Sequence, residues 1–429
     1  MNETLLYILG IVIVVLGLAL SIGLHEFGHL IPAKLFGVKV PHWAIGFGPK
    51  LWKKKIGDTE YSVRLIPLGG FISMIGMYPP ENPKKPDAKR RFGGVIAQSR
   101  EAHSEHMDAG DESHTLWSKP AWQRIIIMLG GPTVNLILGL VLISIALSGI
   151  GSWTQGTKVE AVIECQEQMI HSKDTCLPDS VRTPATLAGL QAGDVVLSVD
   201  GKKVETAAPL LDALTSKPLV SHEVVVTRGG VEKTLNIFPA EAALPTQDSS
   251  GNVVNVIRPY IGVQMQYVRH AVSLSDSLGY GFTSVGQTFG FIGQFPQQVY
   301  ASVSSLFTGS VRGGESAISV VGIGQVAGQV SSSAADPLDK VFSNLMLLGS
   351  LNLALFAFNM IPLPPLDGGH VAGGVYEYLK RGAYRLVGKK DPGRIDTALM
   401  APVAQLMFLL LLAAGVLMIL VDFINPVKL

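Results

Sequence analysis

Four long, uncharged apolar stretches limit the fold of this chain more than anything else in the sequence. They cover 5–24, 125–150, 341–366 and 397–421, each at or above the roughly 20 residues that cross a hydrocarbon core as a helix. With 48% hydrophobic residues in 429, well above what a soluble domain of this size needs, the chain reads as an α-helical polytopic membrane protein with four transmembrane helices. The first stretch is expected to be a retained span and not a signal peptide. Met1-Asn2-Glu3 supplies no positive n-region, and the apolar run exceeds a secretory h-region.

Basic residues set the expected orientation. The segment 37–121 holds Lys53-Lys54-Lys55 and Arg90-Arg91 among many others, and 371–396 holds Lys380, Arg381, Arg385, Lys389, Lys390 and Arg394. By the positive-inside rule both segments are cytoplasmic. An even number of spans then puts both termini and the long segment 151–340 outside the cytoplasm. The net charge of +1 carries no basic excess for nucleic acid, and no such partner is expected. The only two cysteines, Cys165 and Cys176, fall in the outer segment, where an oxidising compartment permits a disulfide. Two free thiols are the alternative, since spacing alone does not establish the geometry.

Between the spans the composition changes repeatedly. Residues 38–77 alternate apolar and polar positions and are punctuated by glycine, as in Tyr61-Ser62-Val63-Arg64-Leu65-Ile66. They predict a small β-sheet on or in the inner membrane face. Residues 79–118 are polar and aperiodic and read as a mobile loop; its His103, His106 and His114 are candidate metal ligands or, alternatively, a solvated tract. Trp117 and Trp122 flank the second span as interface anchors. From 157 to 266 the composition becomes that of a soluble α/β domain of ordinary size, with strands at 194–199 and 223–226, a turn at Asp200-Gly201 and a helix over 208–214. Residues 267–340 predict amphipathic helices on the outer face.

The chemistry is concentrated at the end of the first span. His25-Glu26-Phe27-Gly28-His29 fits H-E-x-x-H, whose histidines at i and i+4 share one helix face and one Zn²⁺. Zinc lowers the pKa of a coordinated water towards about 7, and the Glu26 carboxylate is placed to take the proton as general base. Ionisable groups cost roughly 2.5–3.5 kcal/mol each at the centre of a membrane helix on insertion scales, so they are functional by default. Histidines snorkelling to the interface are the bland alternative.

A catalytic zinc usually takes three protein ligands. The best candidate for the third is Asp367, at the inner end of the third span (341–370), next to Pro362, Pro364 and Pro365. Prolines at membrane depth break the helix and are tolerated where the freed groups face protein or a wet cavity. A helix-terminating interfacial Asp is the competing reading. His370 is a weaker candidate for support around the metal.

Taken together, His25 to His29 and Asn359-Met360-Ile361-Pro362-Leu363-Pro364-Pro365-Leu366-Asp367-Gly368-Gly369 resemble the site-2 protease family of intramembrane zinc metalloproteases, which pairs HExxH on one helix with N-x-x-P-x-P-x-LDG on another. Gly131-Pro132-Thr133-Val134-Asn135 resembles the family's G-P-x-x-N, and Gly46-Phe47-Gly48 with Pro67-Leu68-Gly69-Gly70-Phe71 resembles its membrane-associated β-sheet. Thr183 to Gly201 resembles a protease-type PDZ domain. The resemblance is closest to the bacterial branch containing the regulator of sigma-E protease, but with one PDZ-like domain instead of two, as in actinobacterial relatives. It implies His25, His29 and Asp367 as zinc ligands, Glu26 as catalytic base, and Asn135 and Asn359 near the substrate; hydrogen bonding between membrane helices is the alternative role for the two asparagines. It also implies single-pass substrates such as anti-sigma factors, trimmed first by an upstream site-1-type protease, and remnant signal peptides. The edge of the sheet at Gly69, Gly70, Phe71 and Ile72 is the expected place for an extended substrate to add as a strand.

The expected order is therefore a first span with HExxH (1–36), a cytoplasmic sheet and loop (37–121), a second span (122–150), an extracytoplasmic PDZ-like domain (157–266), an amphipathic segment (267–340), a third span with the LDG motif (341–370), a cytoplasmic loop (371–396) and a fourth span (397–422). Two other classes compete: a membrane-anchored PDZ module that has lost catalysis, and a metal transporter. The intact His25, Glu26, His29 and Asp367 argue against the first, and a transporter has no need of Glu26 or of a PDZ-like domain.

Overall fold

In the computed structural model the first apolar run becomes helix α1 (Glu3–Leu35), opened by Asn2, whose side chain accepts from the Thr4 amide. The helix does not stop where the apolar run stops. It continues through His25–His29 for another two to three turns, so the polar motif is built on a rigid rod inside the span. The structure describes every residue except 1, 85, 105–106, 167, 169–175, 177, 218, 248–252, 310–311, 313–315 and 428–429. His106 and Gly313-Gly314 lie outside the described residues, as does the side chain of His103.

The chain forms two units: a membrane unit of Met1–Ile150 with Val272–Leu429, and an inserted unit, Gly151–Ala271. Among the described residues four helices of the membrane unit are long and apolar enough to span a bilayer: Glu3–Leu35, Ala121–Ile150, Pro337–Asn359 and Thr397–Ile424.

After α1 the chain enters two 15-residue strands, β1 (His42–Ile56) and β2 (Thr59–Ser73). Each is bent, so the pair folds into four segments. His42–Ile45 partners Glu60–Val63 and also Gly70–Ser73, while Lys53–Ile56 pairs with Thr59–Ser62. A residue with two cross-strand partners has one on each side, which leaves Gly70–Ser73 as an edge. The segment 79–118 is not the featureless loop that its composition predicts. It contains helix α2 (Gly93–Ser104), and Arg100 reaches Asp87 at 2.8 Å and Asp396 at 2.6 Å. These are long-range contacts that no local periodicity encodes.

Helix α3 (Ala121–Ser144), extended by a π-helical stretch (Ile145–Ile150), crosses α1 backbone to backbone. A Cβ on Gly28 would lie 2.7 Å from the Gly130 carbonyl carbon, and the reverse holds for Gly130, so only glycines permit this crossing.

The inserted unit begins with β3 (Ser152–Val162) and continues through the one-turn helix α4 (Pro184–Leu187), β4 (Val195–Val199), β5 (Lys202–Lys203), α5 (Ala208–Ser216), β6 (His222–Arg228), β7 (Val231–Ile237), β8 (Ala240–Gln247), β9 (Val253–Tyr260) and β10 (Val263–His270). Its main sheet runs β10-β3-β4-β6-β7 with β5 beside β4, and β8 pairs with β9. Val159, Val196, Val224, Val226 and Ile237 fill its core. Cys165 and Cys176 are joined in a disulfide.

The membrane unit resumes with three helices, α6 (Leu274–Gly293), α7 (Phe295–Thr308) and α8 (Val320–Ser332), in the stretch expected to be amphipathic. The third span differs from its predicted extent of 341–370. Helix α9 (Pro337–Asn359) ends at Asn359, a non-helical turn follows, and Asp367 is the first residue of a separate helix, α10 (Asp367–Leu386). Pro362, Pro364 and Pro365 lack the amide donors that would carry the helix on. For the same reason 371–396 is not a plain loop: its first two-thirds is α10, bound to α3 by Arg124 and the buried Glu377 at 2.6 Å. Helix α11 (Ala401–Ile424) closes the chain, with its buried Asp422 paired to Arg312 at 2.8 Å.

Candidate active site

Three elements bring the polar residues together. Helix α1 presents His25 and His29 one turn apart, α3 passes behind them, and the start of α10 brings Asp367 opposite. The two glycines after Asp367 explain how the turn fits. A Cβ on Gly368 would meet the Met360 carbonyl carbon at 2.6 Å, and one on Gly369 the Leu363 carbonyl carbon at 2.7 Å. The proline-rich turn therefore folds directly onto the first turn of α10.

His25 and His29 are both buried. His29 Nδ1 lies 2.7 Å from the Ile127 carbonyl of α3; a carbonyl only accepts, so Nδ1 carries the proton and Nε2 of the neutral ring offers a lone pair. That Nε2 lies 3.2 Å from His25 Nε2, and Asp367 Oδ2 lies 3.3 Å from His25 Nε2 and 3.4 Å from His29 Nε2. Asp367 Oδ2 and His25 Nδ1 are buried without a hydrogen-bond partner. A buried acceptor left bare costs on the order of 1–3 kcal/mol; with the proton of His25 on Nδ1, three acceptors converge, and they repel one another unless a cation lies between them.

The fit to zinc can be tested by size. Four ligand atoms at 2.0–2.1 Å from a tetrahedral ion stand about 3.3–3.4 Å apart, and the three observed separations match. The space is kept open by Gly131: a Cβ there would lie 2.8 Å from His25 Nε2 and would also strike His29 Nε2.

This triangle opens onto a cavity of about 280 Å³, also lined by Glu26, Asn359, His370 and the edge residues Gly70, Phe71 and Ile72. Gly70 is pressed against the helix, where a Cβ would meet Ile22 Cγ2 at 3.0 Å and Glu26 Cγ at 3.1 Å. Gly69, at φ +99°, packs against Phe47 and is not part of the cavity wall. Asn135 is buried, with a bare Oδ1, and also lies outside the wall. Of the loop histidines, His114 bonds the Gly37 carbonyl at 3.0 Å and joins no ligand cluster among the described residues. Sequence reasoning missed Ile127, whose carbonyl fixes the His29 tautomer, and the roles of Gly130 and Gly131. The doubled glycine ahead of Pro132 was the available signal.

The model of peptidase family M50 matches residues 13–401. The chain belongs to peptidase family M50. Among the relatives of this M50 peptidase, zinc metalloprotease Rip1 of Mycobacterium bovis is 28% identical, and the match covers 99% of this chain and 100% of the relative. Rip1 of Mycolicibacterium smegmatis is 26% identical over 98% of both chains. Metalloprotease MmpA of Caulobacter vibrioides is 24% identical over 88% of this chain and 86% of its own. The match runs from end to end and includes both halves of the membrane unit.

Proposed function

We propose that this M50 peptidase is an intramembrane zinc endopeptidase that cuts transmembrane segments of single-pass proteins, with His25, His29 and Asp367 as metal ligands and Glu26 as general base. What carries the reading is the triangle of bare acceptors, sized for a tetrahedral cation and built on a membrane-length helix beside a carboxylate. Zinc held there supplies Lewis acidity and makes water a nucleophile near neutral pH. Glu26, on the cavity wall, takes the proton of the attacking water and returns it to the departing amine. The Ile127 carbonyl holds His29 in the tautomer that offers Nε2 to the metal, an orienting role of the kind that second partners of ligating histidines commonly play. Asn359 lies on the same wall, in reach of a substrate backbone; Asn135 is proposed to act near the substrate from outside it.

A helical substrate hides its carbonyls in i to i+4 bonds, so it must be extended before it is cut. The free edge at Gly70–Ile72 offers main-chain bonds to an extended segment beside Glu26 with little demand on sequence, and Gly69 sets the bend that leads into this edge. Anti-sigma factors and remnant signal peptides fit as substrates, an upstream site-1-type protease having removed their outer parts. In this reading the positive-inside rule supports a metal on the cytoplasmic side and an inserted unit outside. That unit is read as a PDZ-like size filter. Deleting 157–266 is expected to let untrimmed substrates be cut while trimmed ones are still processed, and untrimmed substrates that stay uncut would end the filter reading.

The test of the central claim is metal analysis with cleavage of a transmembrane substrate by the purified full chain. About one zinc per chain, with turnover lost on chelation and restored by zinc, is the expected result. A preparation that cleaves without bound metal overturns it.

A further inference from the structure

The outer half of the β1–β2 sheet has no role in the reading above, and its side chains form a gradient. Helix α1 serves as a depth gauge. At one end of the sheet Ile45 and Gly70 pack on Gly23 and Ile22 of α1. At the other end the turn Gly57-Asp58 sits with Lys34, Gly37 and Lys39, and the Thr59 hydroxyl bonds the Val40 carbonyl at 2.6 Å. Ile22 to Lys34 is twelve residues, about 18 Å of helix, so the sheet runs from well inside the span to its end. The deep part exposes Phe47, Leu51, Leu65 and Ile66. Trp52 follows, half exposed, and then Lys53, Lys54 and Lys55, all exposed and none in an ion pair among the described residues. Apolar residues deep, a tryptophan between and lysines outermost is the order that a bilayer leaflet imposes.

The deep cations are already engaged. Lys50, opposite Arg64, folds its amine back onto Glu60, as a snorkelling lysine does. Arg64 lies over the Phe71 ring at 4.9 Å. Among the described residues of the sheet, the three lysines at the outer level form no ion pair and can meet a charge supplied by the surroundings.

With this part of the sheet in the leaflet at the Lys34 end of α1, as its sequence already predicts, we propose that Lys53, Lys54 and Lys55 bind the headgroups of anionic phospholipids. The proposal rests on α1 spanning the bilayer and needs neither zinc nor catalysis. Lys53 and Lys55 share one face of the strand and complement one phosphate, while Lys54 meets another on the opposite face, and each lysine near an anionic surface contributes roughly a fivefold preference. The same contact would hold the sheet, and with it the edge at Gly70–Ile72, at a constant depth beside Glu26.

The test is native mass spectrometry of the full chain, released from mixed micelles containing equal phosphatidylglycerol and phosphatidylcholine. The wild type should retain phosphatidylglycerol at least tenfold over phosphatidylcholine. Lys53→Gln/Lys54→Gln/Lys55→Gln should bring the ratio close to one, while the Lys53→Arg/Lys54→Arg/Lys55→Arg variant should keep it, separating charge from folding. Lys389→Gln/Lys390→Gln, basic but away from the sheet, should leave the ratio unchanged. Equal retention of both lipids by the wild type, or an undiminished preference in the glutamine variant, overturns the proposal.

Discussion

Two carboxylates, one in each unit, show opposite uses of the same group: Asp194 is buried whole, Asp367 only at its Oδ2. Asp194 in the inserted unit is fully buried, and every oxygen is served: Arg228 Nε donates to Oδ1 at 2.7 Å, Arg228 Nη2 to Oδ2 at 2.7 Å, and the Gln191 amide to Oδ2 at 2.8 Å. Asp367 in the membrane unit faces two imidazole nitrogens, and its Oδ2 accepts no hydrogen bond. A satisfied buried charge belongs to the architecture, whereas a buried oxygen without a hydrogen-bond partner calls for a functional explanation. The difference teaches where to look for chemistry: in burial without satisfaction, more than in burial alone.

The largest effect should come from a residue beside the His25–His29–Asp367 triangle that is not part of it. Glu26→Gln is expected to keep zinc and fold and to lower turnover by about 10²–10⁴-fold, the usual share of a general base. Substantial residual cleavage by purified Glu26→Gln would remove Glu26 from that role.

Next come changes to the triangle itself. Asp367→Ala removes one of three ligands, and Gly131→Ala drives a methyl group between the imidazoles. Both should lose zinc to a mild chelator that leaves the wild type loaded, with activity falling in step. A Gly131→Ala protein with unchanged metal content would show that α3 can retreat and that the glycine is not needed for the site.

Asp194→Ala should do the reverse, leaving zinc content intact while destabilising the inserted unit by about 1–3 kcal/mol, the cost of stranding its buried partners. Acid should mimic this change. The Arg228 guanidinium holds the Asp194 carboxyl below its ordinary range, a pull reinforced by the Gln191 amide against the opposing effect of burial. The unfolded chain therefore binds that proton more readily than the folded one. The contribution is fully present above the unfolded value near about 3.9 and is lost as pH falls from there towards the folded value. Melts of wild type and Asp194→Asn followed from pH 6 to pH 3 should draw closer together towards the acid end. Parallel curves would assign the acid loss to other groups.

The smallest effect on catalysis is expected from the disulfide. Cys165→Ser/Cys176→Ser opens an 11-residue separation, worth at most about 3 kcal/mol to its own unit, and should leave zinc content and cleavage of trimmed substrates unchanged. Two titratable thiols in the unreduced, denatured wild type would exclude the bridge in the isolated protein.

The sequence by itself determined the spans, the HExxH pair and the candidate third ligand, because each follows from a local rule. Apolar length decides what crosses a bilayer, a spacing of four decides what shares a helix face, and proline decides where a helix cannot continue. Tertiary structure alone decided that Asp367 opens α10 instead of ending the third span. It also decided that Gly130 and Gly131 make room for α1 and its imidazoles, that the Ile127 carbonyl selects the tautomer of His29, and that Gly70–Ser73 is the free edge. Apart from the turn before α10, which folds on residues close by in the chain, each of these depends on what stands opposite a residue that is distant in the chain. His29 and Ile127 are 98 residues apart, and His25 and Asp367 are further still. No periodicity reports such a neighbour: distances between remote side chains are fixed when helices pack, and it is packing that turns two histidines and an aspartate into a site of tetrahedral size.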